Sequence, residues 1–539
     1  MPVALIRGGE ETDVQWTSRT PAAKRVRKIF PDPSWMTPDP VLKAGDRIEL
    51  VLFDDAIFDA QISNVTRYPN GGVGMTAHLS NGMGTVYLSY CDGALRASVE
   101  VMGGADYAIY YKPEQNTHYA IEVDSANTIV LEGAEPRFPD VTADLLPGAD
   151  AVASGDIVED APSGSTIIDV MVVYTPAALS YEGSEANMND NIALAMQKAN
   201  ETHTNSDTQV YLNLVHSTEV DYYESGTNFS LDLDYLTDIG DGYLEEVQVL
   251  RDTYKADLVC LFESNSVSGG LGWLLTTTSG NQSHAFCLAR VQQTSWTYTM
   301  VHEWGHNMGC SHSKTQTAEP WTGKLYSYSA GWQWEDTMSP ATIGYCSVMT
   351  YENFDDDLEN GYEYKRVGYF SNPANYYVGN STNATGDVSN GNNALTIRNM
   401  KTVLANYRKA PDVDYDGLPN EWELLYFGGE TNANPAATAS NGVNTVLDTY
   451  IAGISPVDPA AFFKINSFQT PVAASNGFVV GWDATNGRIY SVYRATNLLS
   501  STNFQPLATN IVWPQSSYTD TVHAAESRSF YKINVQLAP

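Results

Sequence analysis

Three histidines and a glutamate lie within eleven residues of this 539-residue chain, in the stretch HEWGHNMGCSH at residues 302–312. The whole sequence has only 9 histidines, so this concentration needs a chemical explanation. Residues four apart project from one face of a helix, so His302 and His306 can direct two imidazoles at one ion. Gly309 can adopt a left-handed conformation and end the helix, so that His312 returns to supply a third nitrogen.

Glu303 lies next to His302 on the same helix, where it can reach a water bound to the metal. Three neutral nitrogens, an open coordination position and a carboxylate base are what zinc-assisted hydrolysis requires. Alternatively, the histidines are ordinary helix-surface residues, but Gly309 and His312 together favour the zinc site. The pattern therefore predicts a zinc-dependent hydrolase with Glu303 as general base.

The composition is that of a globular protein with an acidic surface. Apolar residues make up 43% and aromatic residues 11%, and 29 Lys and Arg oppose 64 Asp and Glu, for a formal charge of −35. This charge repels nucleic acid and anionic membranes, so neither is an expected partner. No run of 18 apolar residues occurs, so no membrane insertion is expected. We expect a monomer that acts on proteins or peptides.

The chain length predicts several domains. Residues 1–138 are predicted to form a β-rich domain, because apolar residues alternate in stretches such as RIELVLF and YAIEVD. Residues 139–165 are rich in Ala, Asp, Gly, Pro and Ser, which is typical of an exposed linker. From 166 to 410, buried strands alternate with amphipathic helices. This order predicts an α/β domain with a mixed, mainly parallel sheet and a helix that carries the HEWGH segment.

These motifs resemble those of a known peptidase family. HEWGHNMGCSH matches the extended HExxHxxGxxH motif of the metzincin metallopeptidases, and CSVMTYE resembles their Met-turn, with Met349 beneath the metal. The strand and helix order over residues 166–408 resembles the bacterial reprolysin-like (adamalysin-like) branch. The resemblance implies a zinc endopeptidase in which Glu303 takes a proton from water and passes it to the leaving amine. SGGLGWLL, at 268–275, resembles the edge strand on which such enzymes bind substrate.

Two positions bear on how far the resemblance extends. Reprolysins usually carry Asp after the third histidine, whereas this chain has Ser313, as matrixins do. Tyr351 follows Met349 by two residues, as in astacins and serralysins, where that tyrosine reaches the zinc or the oxyanion. Tyr351 is therefore either a catalytic residue or an aromatic packed at a tight turn.

The sequence has five cysteines, four of them in the protease region, where an oxidising compartment would allow two disulfides. Four cysteines allow three pairings, of which we favour Cys260–Cys287, between two strands, and Cys310–Cys346, between the histidine loop and the Met-turn. The resemblance implies that the front domain is a propeptide and that Cys91 caps the zinc as a cysteine switch. A buried, idle thiol is the alternative. We expect a secreted or cell-surface protein, although no signal peptide is visible at the start.

The stretch DVDYDGLPNEWE, at residues 412–423, fits the calcium-loop pattern D-x-D-x-D-G-x5-E. The oxygen ligands would come from Asp412, Asp414, Asp416, Leu418, Asn420 and Glu423. A solvated acidic turn is the alternative. The loop resembles calcium repeats of the dockerin or thrombospondin type, so residues 411–459 are predicted to be a calcium-binding linker module. Alternation of apolar residues in 460–539 predicts a C-terminal β-sandwich.

Together these patterns predict a multidomain, secreted endopeptidase that uses zinc, binds calcium and is made as a latent precursor. Its metzincin α/β domain would lie between a β-rich propeptide-like domain and the β-sandwich. The alternative is a non-catalytic adhesin or binding protein that retains the metzincin fold. The presence of Glu303 disfavours this alternative, because a decayed site would be free to lose its base.

Overall fold

A computed structural model gives two compact units, Met1–Ala410 and Pro411–Pro539. The structure describes residues 2–11, 21–37, 41–139, 161–162, 164–316, 325–335, 343–352, 363–377, 383–408, 416–429, 431–469, 477–485, 488–498, 504–523, 526 and 528–537. Most of the predicted linker at 139–165 therefore lies outside the described residues. Within these ranges, no helix is both long enough and apolar enough to cross a bilayer.

A closed β-barrel forms the first part of the larger unit, in the order β1-β2-β9-β8-β7-β6-β5-β4-β3. Its strands are β1 (Val3–Glu11), β2 (Ala23–Pro31), β3 (Arg47–Phe53), β4 (Ala56–Arg67), β5 (Val73–Leu79), β6 (Gly84–Cys91), β7 (Ala94–Val101), β8 (Tyr107–Lys112) and β9 (Thr117–Val123). Neighbouring strands are antiparallel except β1 and β3, whose parallel pairing closes the barrel. Alternating residues such as Ile48, Leu50 and Leu52 fill the interior. The predicted β-rich character of the front domain is confirmed.

A five-stranded mixed sheet follows, in the order β11-β10-β12-β14-β13. The elements are β10 (Thr166–Tyr174), α1 (Pro176–Glu182), α2 (Glu185–Asn205), β11 (Val210–Glu219), α3 (Phe229–Thr237), α4 (Glu245–Tyr254), β12 (Leu258–Glu263), β13 (Gly270–Gly272), β14 (Phe286–Arg290) and α5 (Thr299–Asn307). All neighbouring strands are parallel except β13, which pairs antiparallel with β14 at the sheet edge. Continuous apolar runs such as IIDVMVV suit strands that are covered on both faces. The predicted mainly parallel sheet is confirmed.

A small three-stranded sheet and a closing helix complete the larger unit. They are β15 (Gln333–Glu335), β16 (Ile343–Cys346), β17 (Glu363–Arg366) and α6 (Asn393–Leu404). Strand β16 lies between β15 and β17 and leads directly into the turn at residues 347–350. Asn392 caps α6 by accepting a hydrogen bond from the backbone N–H of Leu395.

Helices α1 and α2 join the barrel to the α/β domain through buried charges. Arg96, on barrel strand β7, pairs with Glu182 and with Asp190 at 2.7 Å, and all three side chains are buried. Lys198 of α2 pairs with Glu100 of the same strand. Buried charges are costly unless they are paired. Separating the barrel from the α/β domain would therefore leave these charges without their partners.

The smaller unit begins with two short helices and continues as β-sheet. Its elements are α7 (Asn420–Phe427), α8 (Val446–Ala452), β18 (Ile465–Gln469), β19 (Phe478–Trp482), β20 (Arg488–Ala495), β21 (Gln505–Val512), β22 (Ser517–Asp520) and β23 (Phe530–Leu537). Two three-stranded sheets, β18-β19-β22 and β21-β20-β23, share an apolar core that includes Trp482 and Tyr490. The prediction of C-terminal β structure is confirmed.

Candidate active site

Helix α5 positions the predicted histidines and glutamate. His302, Glu303 and His306 are all buried on this helix, which ends just before Gly309. The φ angle of Gly309 is +92°, the left-handed conformation that glycine adopts without strain. The chain then turns back and brings His312 to the other two histidines, as the spacing predicted.

The three imidazoles converge through their Nε2 atoms. The Nε2 atom of His312 lies 3.0 Å from that of His302 and 3.1 Å from that of His306. The Nδ1 atom of His302 donates to the carbonyl of Val348 at 2.7 Å, and that of His306 donates to the carbonyl of Cys310 at 2.8 Å. Because a carbonyl oxygen can only accept, these bonds hold the proton on Nδ1 and leave a lone pair on Nε2.

Burial tunes the protonation of this cluster. It lowers the pKa of His302 and of His306 well below the ordinary value, and the neighbouring rings act in the same direction. Both rings are therefore neutral near pH 7, as nitrogen ligands must be. Burial also raises the pKa of the Glu303 carboxyl well above its usual range.

The residues present fit a zinc ion. The triad is the one group of three potential metal ligands found among the described residues. Both carboxylate oxygens of Glu303 are buried beside it and have no hydrogen-bond partner in the described part of the chain. A buried carboxylate normally has partners, so its position fits a site that is completed by a metal-bound water.

The residues of the predicted Met-turn pack against helix α5. Met349 is buried, and a Cβ atom built on Gly305 of α5 would lie 2.5 Å from its sulfur. The adjoining Val348 carbonyl orients His302. The ring of Tyr351 lies 4.5 Å from the ring of His312, between centroids.

A segment that the sequence did not predict as part of the site crosses the cleft. Residues 131–137, LEGAEPR, form this cleft segment, which runs parallel to edge strand β13. Backbone hydrogen bonds of 2.8 to 3.0 Å join it to the strand: Gly269 N–H to Glu132 O, Ala134 N–H to Gly270 O, Arg137 N–H to Gly272 O and Leu274 N–H to Arg137 O. The glycine-rich stretch SGGLGWLL thus does form an edge strand that pairs with extended backbone.

Gly133 is the residue of the cleft segment that lies over the catalytic cluster. A Cβ atom built on it would lie 2.7 Å from Glu303 Oε1 and 3.6 Å from His302 Nε2. Its carbonyl accepts a hydrogen bond of 2.7 Å from the Tyr351 hydroxyl. A Cβ atom on Gly270 would lie 2.3 Å from Glu303 Oε1, so the carboxylate is enclosed between two glycines. The backbone can approach the carboxylate this closely only because glycine has no side chain.

The structure does not bring Cys91 to the histidines. Cys91 ends strand β6 and is buried 3.9 Å from the position of a Cβ atom on Gly71. Burial raises the pKa of its thiol to about 12, which disfavours the thiolate that would bind zinc. The predicted cysteine switch is therefore corrected: the front domain reaches the site through Gly133 instead.

None of the five cysteines, all of which are described, forms a disulfide. Cys260 and Cys287 are direct neighbours on strands β12 and β14, as the preferred pairing required, but both thiols are free. The sulfur of Cys310 contacts the carbonyl of Asn393, and that of Cys346 contacts the carbonyl of Thr350. The two predicted disulfides are thus not present: Cys310 and Cys346 face different backbone groups, and the Cys287 thiol contacts the carbonyl of Val259.

The structure describes part of the predicted calcium loop. Asp412 and Asp414 lie outside the described residues. Asp416 accepts a hydrogen bond from the backbone N–H of Leu418, which is buried. Asn420 begins helix α7, and the Glu423 carboxylate accepts a hydrogen bond of 2.9 Å from the backbone N–H of Ala433.

Comparison with known proteins agrees with this geometry. Residues 164–353 match the family Reprolysin_5, metallo-peptidase family M12. The matched residues include the histidine triad, Glu303, the Met-turn and Tyr351.

Curated relatives also match. A peptidyl-Asp metalloendopeptidase of Stenotrophomonas maltophilia is 30% identical over 305 residues, which are 55% of this chain and 65% of that protein. One of Pseudomonas aeruginosa is 26% identical over 281 residues, 49% of this chain and 43% of that protein. The chain therefore spans less than two thirds of the length of these relatives. A crystal structure of metalloproteinase-II from Bacteroides fragilis is 12% identical with a TM-score of 0.34, covering 52% of this chain and 86% of that one, a likeness too weak to assign a fold.

Proposed function

We propose that this chain is a zinc-dependent endopeptidase of the metzincin type that hydrolyses peptide bonds of extracellular proteins. One observation carries the proposal beyond a hydrolase of small molecules. Extended backbone pairs with β13 and places a peptide carbonyl beside the histidine triad, within reach of Tyr351. The cleft is thus built to take a polypeptide in strand conformation.

Each group near Gly133 has a role in hydrolysis. His302, His306 and His312 would hold zinc, which when bound supplies a Lewis acid and a water of lowered pKa. Glu303 takes the proton of the attacking water and passes it to the leaving amine, which its raised pKa favours. The Tyr351 hydroxyl, which donates to a peptide carbonyl in the cleft, stabilises the oxyanion as it forms.

We also propose that the full chain is a latent precursor and that the cleft segment keeps it so. The segment pairs with the edge of β13, where substrate would bind, and covers Glu303, where the attacking water would lie. Cleavage of the chain at residues 140–160 would remove the covalent tether of the segment, and the segment would then leave when the barrel dissociates from the α/β domain.

The curated relatives carry the name peptidyl-Asp metalloendopeptidase, which refers to aspartate in their substrates. We propose that this chain likewise prefers an acidic residue beside the bond that it cleaves. We further propose secretion or cell-surface display.

Calcium binding by residues 412–423 is also a proposal, and the pattern of acidic residues supports it. Gly417 has a φ of +89°, which suits the sharp turn at this position of a calcium loop. Carboxylates crowded in one loop repel one another unless a cation lies between them. Calcium removal and Asp414→Ala should therefore each expose the stretch after Lys409 to limited proteolysis, whereas Asp458→Ala should not. Identical fragments with and without calcium would reduce the loop to an acidic turn.

The zinc mechanism is tested by separating metal binding from turnover. The protein should hold about one zinc, and Glu303→Ala should keep that zinc while losing nearly all peptide hydrolysis. His216→Ala, a histidine that stacks on Tyr254 away from the triad, should keep both. Zinc content by mass spectrometry and digestion of a peptide library by the activated protein measure this. A protein that binds zinc but shows no Glu303-dependent turnover would instead be the non-catalytic binding protein.

A further inference from the structure

We propose that Arg366 and the backbone N–H of Glu352 form a carboxylate pocket that selects an acidic side chain next to the cleaved bond. The inference rests on the proposed endopeptidase function and identifies the residues that would give it an acidic preference. In the precursor, Glu132 of the cleft segment fills this pocket.

Arg366 is held so that its guanidinium faces the cleft. It ends strand β17 and is only 7% exposed. Its Nε atom donates to the carbonyl of Thr350 in the Met-turn at 2.9 Å, which fixes the plane of the guanidinium. Its Nη2 atom pairs with Glu132. A planar guanidinium anchored on one side is suited to bind a carboxylate on the other.

Both oxygens of the Glu132 carboxylate find donors. Oε2 pairs with Arg366, and Oε1 accepts a hydrogen bond of 3.0 Å from the backbone N–H of Glu352. The next residue is Gly133, which lies over Glu303 and receives the Tyr351 hydrogen bond. The pocket therefore lies one residue from the position where a peptide bond would react.

An acidic side chain would be attracted only by the positive charge of Arg366 at short range, and not by the net charge of the protein. The chain carries a formal charge of −35, which repels acidic peptides at a distance. The Glu352 carboxylate is engaged by the backbone N–H of Arg366 at 2.8 Å. When the cleft segment leaves, the Nη2 atom of Arg366 loses the carboxylate of Glu132. A substrate Asp or Glu restores that pair, whereas a neutral or basic side chain leaves Nη2 without a carboxylate partner, so that the neighbouring Glu352 carboxylate alone offsets the charge of Arg366.

The selectivity is measured on full-length protein with an engineered cleavage site placed between residues 145 and 155 and then cut. The substrates are pairs of fluorogenic peptides that differ only by Asp or Asn next to the scissile bond. One pair carries this residue before the bond, and a second pair carries it after the bond. The ratio of kcat/KM values does not depend on how much enzyme is unblocked. We expect wild type to favour Asp by roughly ten- to a hundredfold on one side. Arg366→Met should bring the ratio to about one, and Arg366→Lys should be intermediate.

A matched control is Arg398→Met, since Arg398 contacts the carbonyl of Asp207 on another part of the domain and should leave the ratio unchanged. Equal rates on Asp and Asn peptides in wild type would overturn the pocket. So would an unchanged ratio in a zinc-loaded Arg366→Met variant. Either result leaves the endopeptidase function standing as long as hydrolysis still requires Glu303.

A second measurement needs no turnover. In the uncut chain, Glu132→Gln and Arg366→Met should each raise hydrogen exchange of the backbone amides across the cleft segment by about tenfold, whereas Arg398→Met should not. Unchanged exchange in both variants would overturn the pocket even if the protein hydrolysed no peptide.

Discussion

At the scale of single residues, the contacts of the Tyr351 hydroxyl favour the proposed catalytic role over the alternative of an aromatic packed at a tight turn. A merely packed aromatic would have its hydroxyl in solvent or against fixed structure. Here the hydroxyl donates to the carbonyl of Gly133, a peptide unit that occupies the cleft, while its ring lies against His312. We propose that the oxyanion would form at this position, where a hydrogen-bond donor acts most strongly in the transition state.

Tyr351→Phe should lower kcat of the activated enzyme by about 10²-fold and leave KM nearly unchanged, because the lost hydrogen bond strengthens only as charge develops. Zinc content should stay the same. Tyr328→Phe is the matched control, since that hydroxyl accepts a hydrogen bond from Asn399 at the surface. Steady-state kinetics of both variants decide the matter, and full kcat in Tyr351→Phe would return Tyr351 to a packing role.

The sequence predicts those site residues whose partners lie close to them along the chain. His302, Glu303 and His306 follow from the period of one helix, and the turn at Gly309 brings His312 within three residues. Arg366 has no such signature, because its partner Glu132 lies 234 positions away. The sequence LEGAEPR has neither alternation nor helical period, so nothing in it marked a strand partner. The glycines of SGGLGWLL were the available signal.

At the scale of secondary-structure elements, the cleft segment and β13 replace the predicted thiol switch. A thiolate blocks zinc through one atom, whereas this segment blocks through a ladder of backbone hydrogen bonds and one steric contact. The contact depends on glycine, because a Cβ atom on Gly133 or on Gly270 would lie 2.7 or 2.3 Å from Glu303 Oε1. The proposed latency would thus depend on how the cleft segment and β13 fit together.

Gly133→Val should raise hydrolysis by the uncut chain about tenfold or more, since overpacking by one side chain costs about 1–3 kcal/mol and loosens the segment. Cys91→Ala should leave the uncut chain as inactive as wild type. Initial rates on a peptide library, measured before any cleavage at residues 140–160, compare the two variants. Activation by Cys91→Ala without activation by Gly133→Val would reinstate the cysteine switch.

At the scale of the whole molecule, the barrel is tied to the α/β domain by more than the covalent chain. Arg96 enters a pocket made by Glu182 and Asp190, and none of the three is accessible to solvent that could compensate its charge. Removing one member leaves the others buried and unbalanced. Cutting the chain between the two domains therefore does not by itself separate them.

After a cut at an engineered site between residues 145 and 155, the barrel fragment should co-elute with the rest of the wild-type protein on size exclusion. Arg96→Met should weaken the contact by about 3–5 kcal/mol and let the fragments separate. Arg47→Met is the control, because Arg47 pairs with Asp59 within the barrel. Wild-type fragments that separate as readily as those of Arg96→Met would show that the buried pairs do not hold the domains together.

The cleft segment begins at Leu131, a short stretch after the last barrel strand ends at Val123, so the barrel carries the proposed blocking segment with it. In the uncut chain the blocker is tethered, and the fraction of open sites is the same at every protein concentration. A cut makes blocker and enzyme two molecules, and the fraction of open sites then rises as they are diluted. The same cut protein would be inactive at high concentration and become active when it is diluted. Dilution, rather than a further cleavage, would then decide when proteolysis begins.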